Sequence, residues 1–366
     1  MQRRNFLQKS ALAVGGFWAA KALSAEAKAA PVSTDPAEWS GKHPPYLKAG
    51  DFVGVTCPAG SIEYKDAKYC EVMLAKWGLR TKIGDTVGKK LMRFAGTDEE
   101  RAEDFQRLLD DPYIKAIIFG RGGYGTMRMM DKINWDSFKK NPKWLVGYSD
   151  ITAFHCHVNR NFRIATLHSR MAGGFGGAED ISETSLKNAL TGKLIEYSWK
   201  STVVNRPGRA RGELVGGNLS LIYAMQASAS ELDTTNKILF IEDVSEYKYT
   251  VDRMLMNLKR SGKLAQLAGL IVGGFTNTKT EGDGYFKMSM EELIYEKVKE
   301  YNYPVCFNFP AGHQSPNLAI KLGMPYYLEV DEKNCKLYEP GAGNNFLPIP
   351  IADSVNAPLD STDFRF

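Results

Sequence analysis

Residues 142–155 constrain the fold of this chain more than any other stretch. Trp144 to Val146 is a short apolar run that reads as a buried strand, and Gly147 and Tyr148 break it. Ser149 and Asp150 follow, and apolar residues then recur at Ile151, Ala153, Phe154 and Val158 with helical spacing. A strand, a tight turn tipped by a serine, and a helix lift a hydroxyl clear of a sheet. The same turn aims the first free N–H groups of the helix at whatever that hydroxyl attacks. Ser149 is therefore the candidate nucleophile.

Strand and helix patterns alternate upstream of this turn in the same way. The strand Asp51 to Thr56 ends in the loop Cys57 to Ser61, and a helical pattern with Tyr69, Val72, Met73 and Trp77 follows. A short strand is expected at Leu79 to Ile83. Thr97, with Glu100 three positions on, opens a helix through Ala102, Phe105, Leu108 and Leu109. Tyr113 to Phe119 is a strand, Gly120 to Gly125 the loop after it, and Met127 to Met130 the start of a helix. Such alternation means a parallel sheet with crossover helices, whose ligands bind at the carboxyl ends of the strands. The loops 57–61, 120–125 and 147–150 should then share one edge.

The glycine-rich run from residue 171 marks a boundary, and a second body starts near Arg211. It holds Gly216-Gly217-Asn218, a helix from Leu219 to Met225, and the strand Lys237 to Ile241 closed by Glu242 and Asp243. A helix with Val251, Met254, Leu255 and Leu258 follows, then a strand at Leu267 to Gly273 and a helix at Met290 to Tyr301. The strand Val305 to Phe309 ends in Pro310-Ala311-Gly312-His313, and residues 321–338 read as an antiparallel pair. The expected organisation is an export signal (1–30), a linker (31–49), an N-terminal α/β domain with a parallel sheet and crossover helices (50–172) and an interdomain linker (173–207). A second, smaller mixed α/β domain (208–345) and a loosely packed, proline-containing tail (346–366) complete it.

The export signal rests on Arg3 and Arg4, the apolar stretch Ala11 to Ala20, and the small-residue sites Ala25-Glu26-Ala27 and Ala27-Lys28-Ala29. The paired arginines before Phe6-Leu7 are twin-arginine-like and predict a periplasmic protein. The stretch is too short for a stable membrane span. A net charge of +5 over 366 residues, without a basic stripe interleaved with aromatics, argues against nucleic acid as a partner. The five cysteines show no metal-ligand spacing, so no metal is expected.

A serine nucleophile needs a base, and the base an orienting acid. There are five histidines. His43 lies in the linker, His155 and His157 on the helix after Ser149, and His168 just before the boundary. His313 sits in a strand-end loop and is the expected general base. Glu242 closes a buried strand and is the expected acid, with Asp243 and Glu246 as rivals. Gly120-Arg121-Gly122-Gly123-Tyr124-Gly125 has the form of a dinucleotide fingerprint, but it follows the wrong strand and lacks the acidic residue about twenty positions on. It reads instead as an oxyanion wall: the N–H of Gly123 or Tyr124 would act with that of Asp150. Arg121 or Arg128 would hold a substrate carboxylate. No cofactor is called for.

Together these residues resemble the LD-carboxypeptidases, which include the muramoyltetrapeptide carboxypeptidases and the microcin C immunity peptidases. The resemblance runs from about Asp51 to Gly323 and is carried by several ordered motifs. These are Phe94-Ala-Gly-Thr-Asp-Glu-Glu-Arg101, Arg121-Gly-Gly-Tyr-Gly125, Gly147-Tyr-Ser-Asp-Ile-Thr152, Gly216-Gly-Asn-Leu219, Phe240-Ile-Glu-Asp243 with Asp252-Arg-Met-Leu255, and Gly312-His313 before Pro316-Asn317. The resemblance implies a triad of Ser149, Glu242 and His313, two domains with the active site between them, and no metal. It also implies a murein peptide substrate, with release of a terminal D-alanine from tetrapeptide. Hydrolysis of other peptide or peptidyl-nucleotide amides, and an exported peptide-binding protein without turnover, are the alternatives; a homodimer is compatible with all three. The chain departs from the family in its export signal. It also carries His168-Ser169-Arg170-Met171 where His-Gly-Pro-Met is usual.

Overall fold

The computed structural model describes residues 39–176, 180–279, 287–342 and 347–348. The expected export signal lies outside the described residues, as does the expected tail apart from residues 347–348. The elements in chain order begin with β1 (Phe52–Thr56), α1 (Tyr64–Lys76), β2 (Arg80–Ile83), α2 (Asp98–Asp110), β3 (Ile114–Phe119), α3 (Thr126–Met130), α4 (Asp136–Lys140), β4 (Trp144–Gly147), α5 (Thr152–Phe162), β5 (Thr166–His168) and α6 (Ile181–Leu190). They continue with β6 (Glu196–Lys200), β7 (Gly208–Asn218), α7 (Leu219–Ala224), β8 (Ile238–Val244), α8 (Lys248–Arg260), β9 (Gly269–Thr276) and α9 (Met290–Val298). The last are β10 (Val305–Cys306), β11 (Ile320–Leu322), β12 (Met324–Val330), β13 (Asn334–Tyr338) and β14 (Leu347–Pro348).

Two sheets result. The first has the order β11-β5-β4-β3-β1-β2, parallel except at β11, which runs antiparallel to β5. The second has the order β10-β9-β8-β7-β12-β13-β6-β14; β7 to β10 pair in parallel and β7, β12, β13 and β6 antiparallel. The architecture is thus mixed α/β with a mainly parallel first sheet, and the second sheet is the larger in strand number.

Alternation along the strands decides which side chains face which layer. Trp144 and Val146 of β4 join Ile238 and Phe240 of β8 in one hydrophobic cluster that both sheets line. Leu145 of β4 points the other way, onto Phe105, Phe119 and Phe154 under the helices of the first sheet. Leu239 and Ile241 of β8 pack against Val251, Met254 and Leu255 of α8. Residues 238, 240 and 242 therefore share the face of β8 that looks toward the first sheet. The helix signals are realised too: Thr97 Oγ1 accepts from the Glu100 N–H at 3.1 Å, and the Glu100 carboxylate accepts from the Thr97 N–H at 2.8 Å.

Three expectations are corrected. Residues 173–207 are not a plain linker, because they carry α6 and β6. Leu186, Ala189 and Leu190 bury one face of α6, and Tyr197 and Trp199 alternate inward along β6. The described part of the first linker is packed: His43 stacks on Tyr46 at 4.9 Å, Tyr46 on Trp144 at 5.8 Å, and the Trp144 indole donates to Pro45 O at 3.1 Å. Finally β11, well inside the expected second domain, completes the first sheet.

Candidate active site

The nucleophile turn is built as the sequence predicts. Ser149 follows the carboxyl end of β4 with φ +63°, left-handed backbone that costs a non-glycine residue about 1–2 kcal/mol. A single 3₁₀ turn, Ser149–Ile151, then feeds α5. Gly147 is required beneath it, since a methyl group there would lie 2.8 Å from Ile151 Cγ1. His155 is buried and donates through Nε2 to Gly147 O at 2.9 Å; burial pushes it down to about 3, so it is a neutral core histidine bracing the turn.

The glycine-rich loop after β3 stands against this turn. A methyl group on Gly122 would lie 2.8 Å from Ser149 Cβ, 3.0 Å from its Oγ and 3.3 Å from the Asp150 nitrogen. Gly122 is thus the glycine that faces the hydroxyl, and the four glycines among residues 120–125 are its only signal in the sequence. Gly123 has φ +101° and open space around it. Tyr124 is exposed and its ring packs against Phe94 at 5.8 Å. Asp150 directs its carboxylate into the protein, accepting the Thr126 N–H at 2.8 Å; burial raises its pKa more than that bond and Arg101 lower it. Its backbone N–H is the part that faces Gly122. Arg121 is half-buried, with its Cδ 3.4 Å from where a methyl group on Gly60 would stand. Arg128 is committed elsewhere: it grips Asp98 with two bonds of 3.0 and 2.8 Å.

Two further loops are tied to the wall. The Gly60 N–H donates to Gly122 O at 2.9 Å, and the Gly173 N–H to Gly120 O at 2.9 Å. Arg101 is fully buried and bonds Pro58 O, Gly125 O at 2.9 Å, and Asp98. One guanidinium therefore laces the loops 57–61 and 120–125 together. Arg170 is likewise internal: it pairs with Asp180 at 2.6 Å and Glu183 at 3.1 Å, so it neither faces bulk water nor stands unpaired at the site.

The strand β8 and the loop after β10 bring Glu242 and His313 together. Glu242 is fully buried, and its Oε2 accepts from His313 Nδ1 at 2.6 Å and from the His313 N–H at 3.1 Å. The close approach requires Gly312, at φ +105°, where a methyl group would lie 2.7 Å from Glu242 Oε2. Burial works against the charge on both partners, but the pair outweighs it: the Glu242 pKa is lowered and that of His313 raised above its ordinary value. Of the rival acids, Asp243 turns to the opposite side and takes Asn218 Nδ2 at 3.0 Å and the Ser220 N–H at 2.9 Å, while Glu246 lies beyond the end of β8.

The two sheets meet on either side of Ser149, at Tyr148 and Thr152. The Tyr148 ring lies 4.8 Å from that of His313. The Asn218 N–H donates to Thr152 Oγ1 at 3.0 Å, and a methyl group on Gly217 would clash with that oxygen at 2.6 Å. His313, hydrogen-bonded to Glu242, thus packs against Tyr148, the residue before Ser149. Among the described residues no group of three His, Cys, Asp or Glu side chains converges as for a metal ion, and no helix is long and apolar enough to cross a membrane.

Known proteins resemble this chain over most of its length. The model of the LD-carboxypeptidase N-terminal domain matches residues 53–169, and that of the LD-carboxypeptidase C-terminal domain matches residues 211–328. The chain is 34% identical over 298 residues to a probable murein peptide carboxypeptidase of Bacillus subtilis, covering 79% of this chain and 92% of the relative. It is 28% identical over 292 residues to a murein tetrapeptide carboxypeptidase of Pseudomonas aeruginosa, covering 76% and 92%. Among solved structures, a muramoyltetrapeptide carboxypeptidase from Oxalobacter formigenes superposes with a TM-score of 0.73 at 25% identity, covering 79% of this chain and 98% of that one.

Proposed function

Because the chain belongs to the LD-carboxypeptidase family, we propose that Ser149, His313 and Glu242 form its catalytic triad and that it releases the terminal D-alanine of murein tetrapeptides. One observation carries the assignment. His313 gives Nδ1–H to Glu242 at 2.6 Å, which leaves Nε2 as the nitrogen that can take a proton from the serine. Ser149 Oγ attacks the scissile carbonyl as Nε2 accepts its proton, and Glu242 stabilises the imidazolium. The N–H of Asp150 and one from the segment 122–124 hold the oxyanion; a single such donor is worth about 3 kcal/mol in the transition state. His313 then protonates the leaving amine, and water releases the acyl-enzyme by the reverse sequence. Arg121, on the same loop, receives the substrate carboxylate, so Arg121→Ala should raise KM more than it lowers kcat.

Incubation of the purified protein with murein tetrapeptide, followed by mass spectrometry, tests the reading. The wild type should yield tripeptide and free D-alanine. Ser149→Ala should lose at least about 10³-fold in rate while melting at the wild-type temperature. Intact tetrapeptide after incubation with wild type would sink the substrate assignment. Undiminished turnover by Ser149→Ala would sink the nucleophile.

We also propose, from Arg3, Arg4 and the small-residue sites after them, that the protein works outside the cytoplasm. The first residue of the protein recovered from the periplasmic fraction should lie near residue 30. Recovery of the full chain from the cytoplasm alone would refute this.

A further inference from the structure

The triad carboxylate is only half used. Glu242 Oε2 takes both bonds from His313, whereas Oε1 is buried with no hydrogen-bond partner among the described residues. A buried carboxylate oxygen without a donor is costly and calls for an explanation. A second pair of orphans lies beside it. Both ring nitrogens of His168 are buried without a partner among the described residues, and the side chain has no solvent exposure.

The surroundings of His168 bring these orphans together. It closes β5 and pairs with Gly147, two residues before the nucleophile. Its ring meets the edge of Phe240 at 5.1 Å, and Phe240 shares the inner face of β8 with Glu242, two residues on. On its other side it meets Tyr148 at 5.9 Å, and Tyr148 meets His313 at 4.8 Å. His168 is thus bracketed by the neighbours of Glu242 along its strand and across its hydrogen bond. A neutral imidazole offers one N–H, and Oε1 lacks one donor. Burial is the largest influence on His168 and, against the pull of Glu242, holds its pKa down at about 4, so the ring keeps a single proton while the triad works.

We propose that His168 is a positioning residue of the triad: its ring N–H donates, through one bridging water, to Oε1 of Glu242 and fixes which carboxylate oxygen faces His313. The inference rests on the triad reading above, and its test separates the two. The charged and titratable groups facing His313 include Glu242, Asp243, His168 and the Tyr148 phenol.

The test is NMR titration of the ¹⁵N-histidine-labelled full chain as wild type, His168→Gln, His168→Phe and Ser169→Ala. With the donor lost, the Glu242 charge is less compensated and the His313 imidazolium better stabilised. The His313 midpoint should therefore rise by about one pH unit in His168→Phe and stay near wild type in His168→Gln, which keeps an N–H donor, and in Ser169→Ala. Tetrapeptide turnover should follow, with kcat about 10- to 100-fold lower in His168→Phe, KM unchanged, and His168→Gln within a few-fold of wild type. An unmoved midpoint in His168→Phe, or equal changes in the Phe and Gln variants, overturns the proposal. Should His168→Phe fail to fold, the wild type still decides: His168 must show one protonated ring nitrogen from pH 5 to 9, and a second proton taken up in that range overturns it. A wild type that titrates as described but leaves tetrapeptide intact refutes the substrate reading and not this one.

Discussion

At the scale of single residues, the site combines one strained backbone position with one buried ion-pair network. Ser149 at φ +63° favours glycine, so Ser149→Gly should be more stable than Ser149→Ala by up to about 1 kcal/mol while equally inactive; urea unfolding of the two variants measures it. As the proposed base His313 works only when neutral, and its pairing with Glu242 holds its pKa above the ordinary 6.5. The acidic limb of kcat/KM should therefore have its midpoint above pH 6.5, and activity should fall as pH drops through it. A limb centred below 6.5 would contradict the pairing. The pairing of Glu242 with His313 was legible in the sequence. Ile238, Phe240 and Glu242 stand at alternate positions of an apolar strand, which favours Glu242 over Asp243 for the inner face before any coordinates are seen. His168 was not legible in this role, because its partners come from strands some seventy residues away and no local period links them.

Among the elements, the site depends on how three loops are held to one another rather than on helices or strands moving. Arg101, fully buried, serves the loops 57–61 and 120–125 at once. Arg101→Met would leave three carbonyls, of Pro58, Gly96 and Gly125, without this donor and Asp98 with one cation fewer, at a cost of about 2–4 kcal/mol. Arg101→Lys should recover little of this, since one ammonium nitrogen cannot replace three guanidinium nitrogens of which Nη1 serves Pro58 O and Gly125 O, Nε Gly96 O and Nη2 Asp98; chemical denaturation of both variants checks it. Gly122→Ala, with its methyl 3.0 Å from where Ser149 Oγ now stands, should fold and yet lose at least about 10²-fold in kcat. The strands and helices that the sequence displayed well are the long, periodic ones, such as α2 and α8. Those it hid are short. β5 and β11 are three residues each, too brief for alternation to register, and α6 follows a glycine-rich run that reads as boundary.

On the scale of the whole molecule, the two sheets are joined through their interior. Lys321 of β11, in the first sheet, pairs at 2.9 Å with Glu339, which follows β13 of the second, and both are buried. Lys321→Met should cost about 3–5 kcal/mol by stranding the carboxylate, and Lys321→Met with Glu339→Leu should recover most of it; a double-mutant cycle in urea reads the difference. The position of β11 has a consequence in time as well as in space. The ribosome delivers Ile320–Leu322 well after the other five strands of the first sheet, so β5 keeps an open edge until then. The sheet that bears Ser149 therefore cannot be completed until residues 320–322 have been made, and a nascent chain released before that point should be aggregation-prone.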